Sequence, residues 1–127
     1  MKRSQQASDA ITEASSELLT IDYETGLQYC LNSEDFYKDM LSEFCIQATK
    51  YTKQIDDYFK AQDWKNYAII AHGLKGASIN IGAINFSKLS LEHELAGKEE
   101  NTEFITNDYD YYKRTLIALI QKIEKMV

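Results

Sequence analysis

The sequence predicts an all-α fold, an antiparallel four-helix bundle with additional short helical segments ahead of it. Three observations carry that expectation. The 127 residues contain no proline and only five glycines, so little interrupts a helix. Apolar residues recur in alternating steps of four and three over long stretches, which is the period of a buried helical face and not of a strand. The only linker-like segment is the polar run from Gly97 to Thr102, and no internal repeat or low-complexity tract occurs. Long amphipathic helices joined by short connections favour antiparallel neighbours.

Taken in order, Ile11, Ala14 or Ser15, and Leu18 form a weakly amphipathic stretch. Asp22 then opens a short turn of helix holding Leu27, Cys30 and Leu31. Asn32, with Asp35 three residues later, resembles an N-cap with its acidic partner. The first long seam follows as Tyr37, Leu41, Phe44, Ala48, Tyr51, Ile55 and Tyr58. Asp63 reads as the N-cap of a second seam, Trp64, Tyr67, Ala71, Leu74, Ser78 and Ile81, with Gly82 at its end or in a turn close to it. A third covers Phe86, Leu89, His93 and Ala96 and ends near Gly97. The fourth runs Ile105, Tyr109, Tyr112, Leu116, Leu119, Ile123 and Met126. Most of the nine tyrosines fall on these seams, so core packing is their default role. Residues 1–17 are expected to be an N-terminal extension and residues 18–127 the bundle domain.

Composition removes several function classes. Twenty Asp+Glu against 14 Lys+Arg give a formal net charge of −6, which argues against nucleic acid and against docking on anionic membrane. No stretch approaches 18 apolar residues, and Ser4 to Ser16 holds no apolar core of a signal peptide, so a cytoplasmic location is expected. Asn85-Phe86-Ser87 then matches a glycosylation acceptor by chance. Cys30 and Cys45 lack CxxC spacing and read as two reduced, partly buried thiols.

Motifs for catalysis fail for physical reasons. His93-Glu94-Leu95-Ala96-Gly97 begins like a zinc-protease helix, but Gly97 stands where a second imidazole must bind metal. Gly76-Ala77-Ser78-Ile79-Asn80 begins like a nucleophile elbow but lies inside a helical seam and lacks the final glycine. No GxxxxGK[ST] or GxGxxG loop is present, and two histidines without a Cys cluster argue against a metal site. No metal, cofactor or ATP site of its own is expected.

What remains is Ala71-His72-Gly73-Leu74-Lys75-Gly76. At about 100° per residue, His72 lies roughly 120° from the buried seam, with Gly76 about 40° to one side and Lys75 about 60° to the other. A helix-interior glycine costs about 1 kcal/mol relative to alanine, and two of them bracket this imidazole. The missing Cβ at Gly76 clears space beside His72, and Lys75 supplies a cation for any anion on the ring. Exposed neutral imidazoles are nucleophilic at physiological pH. These are the requirements of a phosphoryl carrier. The residues alone leave a second reading open, a solvated surface His and Lys with glycines that ease helix packing.

The run His72-Gly73-Leu74-Lys75-Gly76-Ala77-Ser78-Ile79-Asn80-Ile81-Gly82-Ala83 resembles the signature of histidine-containing phosphotransfer domains: His-x-Leu-Lys-Gly, small residues, then an apolar-Gly pair. Asp22 to Leu27, Asn32-Ser33-Glu34 and Leu91-Glu92 also resemble the family, over roughly residues 18 to 126. Gly73 departs from it, since Ser or Thr is common there. The resemblance implies that His72 takes a phosphoryl group from a receiver-domain aspartate and passes it to another, in a two-component phosphorelay. It implies that Lys75 holds the phosphoryl oxygens, that Gly76 admits the receiver, and that the receiver brings the divalent metal. Implied partners are response-regulator receiver domains and a hybrid histidine kinase, and the chain itself is expected to be a monomeric carrier more than an enzyme.

Two further assignments rest on the same resemblance. Position 94 would face His72, where some members place a polar side chain that orients the imidazole; the plain reading of Glu94 is an exposed helix carboxylate. Ala68, Ile69 and Ile79 lie on the helix face of His72, and their exposure would mark receiver docking. His93 falls on the buried seam and reads as a packed histidine. The alternatives are a helical adaptor without phosphoryl chemistry and the phosphotransfer domain of a chemotaxis-type kinase.

Overall fold

Four long helices bury the four expected seams against one another. The computed structural model describes residues 16–127. A short α1 (Tyr23–Tyr29) leads into α2 (Glu34–Lys60), α3 (Trp64–Asn80), α4 (Ile84–Lys98) and α5 (Thr102–Glu124), and no strand occurs among the described residues. Ile11, Ala14 and Ser15 lie outside the described residues, whereas Leu18 and Leu19 pack on the core. Each long helix touches the next, and α2 also touches α5, so the four close into an antiparallel ring. The expected fold class holds.

The connectors explain how the reversals are made. Each of the three between long helices has three residues, with the middle one left-handed: Gln62 (φ 54°), Gly82 (φ 86°) and Glu100 (φ 53°). The residue after each returns its N–H to a carbonyl five positions back: Asp63 to Tyr58, Ala83 to Ser78, Asn101 to Ala96. These are Schellman closures, which satisfy the orphan carbonyls of a helix end. Asp63 and Asn101 then cap the next helix by accepting from Asn66 N–H and Phe104 N–H. Only Gly82 is a glycine, and a Cβ there would overlap the Asp22 carbonyl oxygen.

The same closure corrects one cap assignment. Asn32 sits at φ 59° and donates its N–H to Leu27 O, which closes α1; Ser33 is therefore the N-cap of α2, accepting from Phe36 N–H at 3.2 Å. Leu31, expected inside the short helix, lies in this turn and is 83% exposed. The polar linker shortens to Glu99–Asn101, because α4 runs through Gly97 to Lys98. Met126 lies beyond α5 and is exposed. The other seam residues are buried, with Tyr51 and Tyr58 half-buried. Cys30 and Cys45 are free and buried.

Two polar networks fix the helices laterally. Asp56 of α2 accepts from Tyr109 Oη (2.7 Å) and Lys113 Nζ (2.9 Å) of α5, and pairs with Lys60 (2.9 Å). The Lys113 ammonium, with Tyr109 and Lys60, holds its carboxyl well below the usual carboxylate range. The second network is internal. His93 of α4, 0% exposed, places Nε2 2.8 Å from Asp108 Oδ2 of α5 and Nδ1 2.8 Å from Tyr67 Oη of α3. Its ring stacks on Tyr112 at 4.0 Å. The carboxylate takes the Nε2–H, so Nδ1 accepts from the Tyr67 hydroxyl, which burial keeps protonated by raising its pKa. His93 is thus a packed histidine with both nitrogens satisfied.

Candidate functional site

α3 and α4 share a more extensive contact than any other described pair, and small residues line it. A Cβ added at Gly97 would fall 2.9 Å from Ala68 Cβ and 3.0 Å from the Trp64 carbonyl oxygen, so only glycine lets the helices approach there. Along the same interface Ala71 and Ser78 of α3 and Ser90 of α4 are each 0% exposed. This close approach brings Glu94 beneath His72.

The imidazole of His72 is 66% exposed, and its Nδ1 lies 3.0 Å from Glu94 Oε2. Glu94 is itself buried, at 2% exposure. Of its two sequence readings, the exposed helix carboxylate is excluded; the carboxylate lies buried against the imidazole. Lys75 Nζ lies 2.8 Å from Oε1 and forms an ion pair with it. Lys98 Nζ lies 2.9 Å from Oε2, the same oxygen that faces the imidazole. Burial pushes the Glu94 carboxyl up, but Lys75, Lys98 and His72 together outweigh it and hold it down at about 2. The ionised carboxylate must accept, so Nδ1 carries the ring proton. In the neutral ring the lone pair then belongs to Nε2, on the opposite edge.

Space around the ring is unequal. A Cβ at Gly76 would meet nothing within 4 Å, whereas one at Gly73 would fall 2.7 Å from Tyr51 Oη and 2.8 Å from its Cζ. The departure from the family pattern at Gly73 therefore has a cause: the Tyr51 ring of α2 occupies the space a Ser or Thr side chain would need. Gly76→Ala is expected to raise stability by about 1 kcal/mol, the ordinary helix-propensity gain. Gly73→Ala is expected to show no such gain, because the half-buried Tyr51 ring must move. Urea midpoints of the two variants check this; equal gains would contradict it.

Beside His72 a cavity of roughly 620 Å3 opens between α3 and α4, lined by Lys65, Ala68, Ile69, Glu94, Gly97, Lys98 and Glu100. The three expected docking residues fare differently. Ile69 is 58% exposed and lines this cavity, and Ile79 is half-buried two helical turns beyond His72. Ala68 is only 4% exposed, a correction to the expectation, because the close approach of Gly97 covers it; it forms cavity floor. Sequence reasoning missed Lys98, although its position four residues after Glu94 is a signal for a helical ion pair. It also missed Asp108, an acid three residues after Ile105 on the buried face of α5. No cluster of His, Cys, Asp and Glu among the described residues has the arrangement to hold a metal ion, and no described helix is long and apolar enough to cross a membrane.

The family model described as the Hpt domain matches residues 39–125, from within α2 to the end of α5. No curated protein and no solved structure matches the chain. The match spans His72, Lys75, Gly76 and Glu94; the resembling segments at residues 22–34 lie outside it. Hpt domains are phosphocarrier modules of phosphorelays, working with the receiver domains and kinases of two-component systems. With this match over most of its length and an exposed imidazole on the outside of a four-helix ring, the chain belongs to the Hpt domain family.

Proposed function

We propose that this protein carries a phosphoryl group on Nε2 of His72 between receiver-domain aspartates. The observation that carries the reading is an exposed imidazole anchored through Nδ1 to a buried carboxylate, which leaves the opposite ring nitrogen for chemistry. In the forward step the Nε2 lone pair attacks phosphorus as the bond from phosphorus to the receiver's carboxylate oxygen breaks. The carboxylate leaves with that electron pair. The proton stays on Nδ1, and the ring becomes an N-phosphorylated imidazolium whose charge Glu94 offsets at 3.0 Å.

Lys75 lies one turn along the helix and draws the phosphoryl oxygens. Gly76 leaves room for the receiver's active-site face, which brings the divalent metal and most of the transition-state stabilisation. Ile69 and Ile79 form the apolar part of the docking face beside His72. Residues 18–127 are the working domain and residues 1–17 an extension. The donor at the head of the relay is a hybrid histidine kinase.

The test is phosphoryl transfer from a panel of labelled, phosphorylated receiver domains to the intact chain and to His72→Gln. Acid-labile label on the wild type and none on the variant is the expected result. Label retained by a folded His72→Gln protein would overturn the assignment. A wild type that takes no label from receivers but takes it from a chemotaxis-type kinase would replace the donor. No label from either would leave a helical adaptor.

A further inference from the structure

Glu94 has two oxygens and three cationic or donor partners. Lys75 holds Oε1, while Lys98 and the His72 Nδ1–H share Oε2, at 2.9 and 3.0 Å. The two lysines differ in setting. Lys75 is 30% exposed, and Lys98, at the last turn of α4, is 62% exposed and lines the cavity that opens onto His72. Before phosphorylation the shared oxygen faces one ammonium and the imidazole N–H, and the ring that can act as nucleophile is the neutral one. Afterwards the ring is an imidazolium, so two like charges compete for Oε2, and the charged ring makes the stronger hydrogen bond there. A dianionic phosphoryl group has meanwhile appeared on the exposed edge of the same ring. Removal of Lys98 from the carboxylate and attraction of Lys98 to the phosphoryl oxygens thus act in the same direction.

We infer that Glu94 is a latch that stores Lys98 while His72 is unmodified, and that phosphorylation releases Lys98 to become a second phosphoryl-binding cation beside Lys75. This rests on the carrier reading above and assigns to it a residue outside the His-x-Leu-Lys-Gly run. The consequence is thermodynamic: Lys98 favours the phosphoryl group on His72 over the receiver aspartate, and so biases which way the group rests in the relay. The side chain moves by rotamer change alone, which its exposure permits.

The experiment uses the full chain and two phosphoryl donors. Phosphoramidate loads histidine without any receiver, and a phosphorylated receiver then sets the equilibrium between phosphohistidine and aspartyl phosphate. Lys98→Ala is expected to shift that partition toward the receiver by roughly two- to fivefold, the worth of one charge-assisted contact at an exposed site. Lys98→Arg is expected to restore it, and the difference is expected to shrink in high salt. In the wild type, the NMR signal of the Lys98 ammonium is expected to move on phosphoramidate loading. An unchanged partition in Lys98→Ala, with phosphohistidine formed normally, would overturn the latch and leave the carrier reading intact. No phosphohistidine in the wild type from either donor would overturn the carrier reading and the latch with it.

Discussion

Glu94→Ala is expected to slow phosphoryl transfer to His72 by roughly tenfold to a hundredfold, the rate equivalent of one lost hydrogen bond between charged groups. The loss has three parts. The ring loses the acceptor that fixes its tautomer with Nε2 unprotonated, it loses the charge that offsets the imidazolium, and Lys75 and Lys98 lose their common partner. Glu94→Gln keeps an acceptor without the charge and is expected to fall between the two. The transfer rate at saturating receiver should drop while receiver affinity changes little, because Glu94 lies beneath the imidazole and not on the docking face. An unchanged rate in Glu94→Ala would remove the carboxylate from the site. Stability carries a second signature. The folded carboxyl is held at about 2, below its unfolded value, so the unfolded chain takes up the proton first as pH falls. The stabilisation is complete above about pH 4.3 and is lost as pH drops from there toward the folded value. Glu94→Ala should therefore show a shallower loss of stability over that window.

Asp108→Ala is expected to destabilise the fold by about 3–5 kcal/mol, because it leaves a buried imidazole without the carboxylate it donates to. His93 is 0% and Asp108 3% exposed, so bulk solvent does not reach the position of the lost acceptor. In urea the midpoint should fall by roughly 2 M or more for a chain of this size. A triple variant with Tyr67→Phe, His93→Leu and Asp108→Leu should recover part of the loss, since it removes the unpaired groups as well as the network. A midpoint shift of less than about 0.5 M in Asp108→Ala would show that the network contributes little. The network also bears on the site. It ties α3, α4 and α5 through consecutive positions, His93 facing inward and Glu94 reaching His72, so the register that satisfies one sets the other.

How far the sequence reveals this structure depends on how local each feature is. The seams are legible because burial imposes a 3.6-residue period on every long helix, and nearly every residue named on them is buried. Asp63 is legible as a cap because it directly precedes the first apolar residue of its seam. Asn32 misleads because its polar side chain fits a cap, while its backbone is taken by the left-handed closure of α1. That choice is made by the packing of α1 and is not written in local spacing. At the site, His72, Lys75 and Gly76 stand out because interior glycines oppose helix formation and so need a reason. The burial of Glu94 and of Ala68 follows from how closely α4 meets α3 at Gly97, a tertiary distance that helical periodicity does not encode. Gly73 needed the position of Tyr51, which is on another helix.

The central claim is that His72 works through the nitrogen that Glu94 leaves free. The most direct measurement is NMR of the intact protein after loading from a phosphorylated receiver, with the imidazole nitrogens labelled and phosphorus observed. The expected spectrum shows phosphorus bonded to Nε2 of His72, with Nδ1 protonated and still hydrogen-bonded to the carboxylate. Phosphorus bonded to Nδ1, or to any side chain other than His72, would contradict the account.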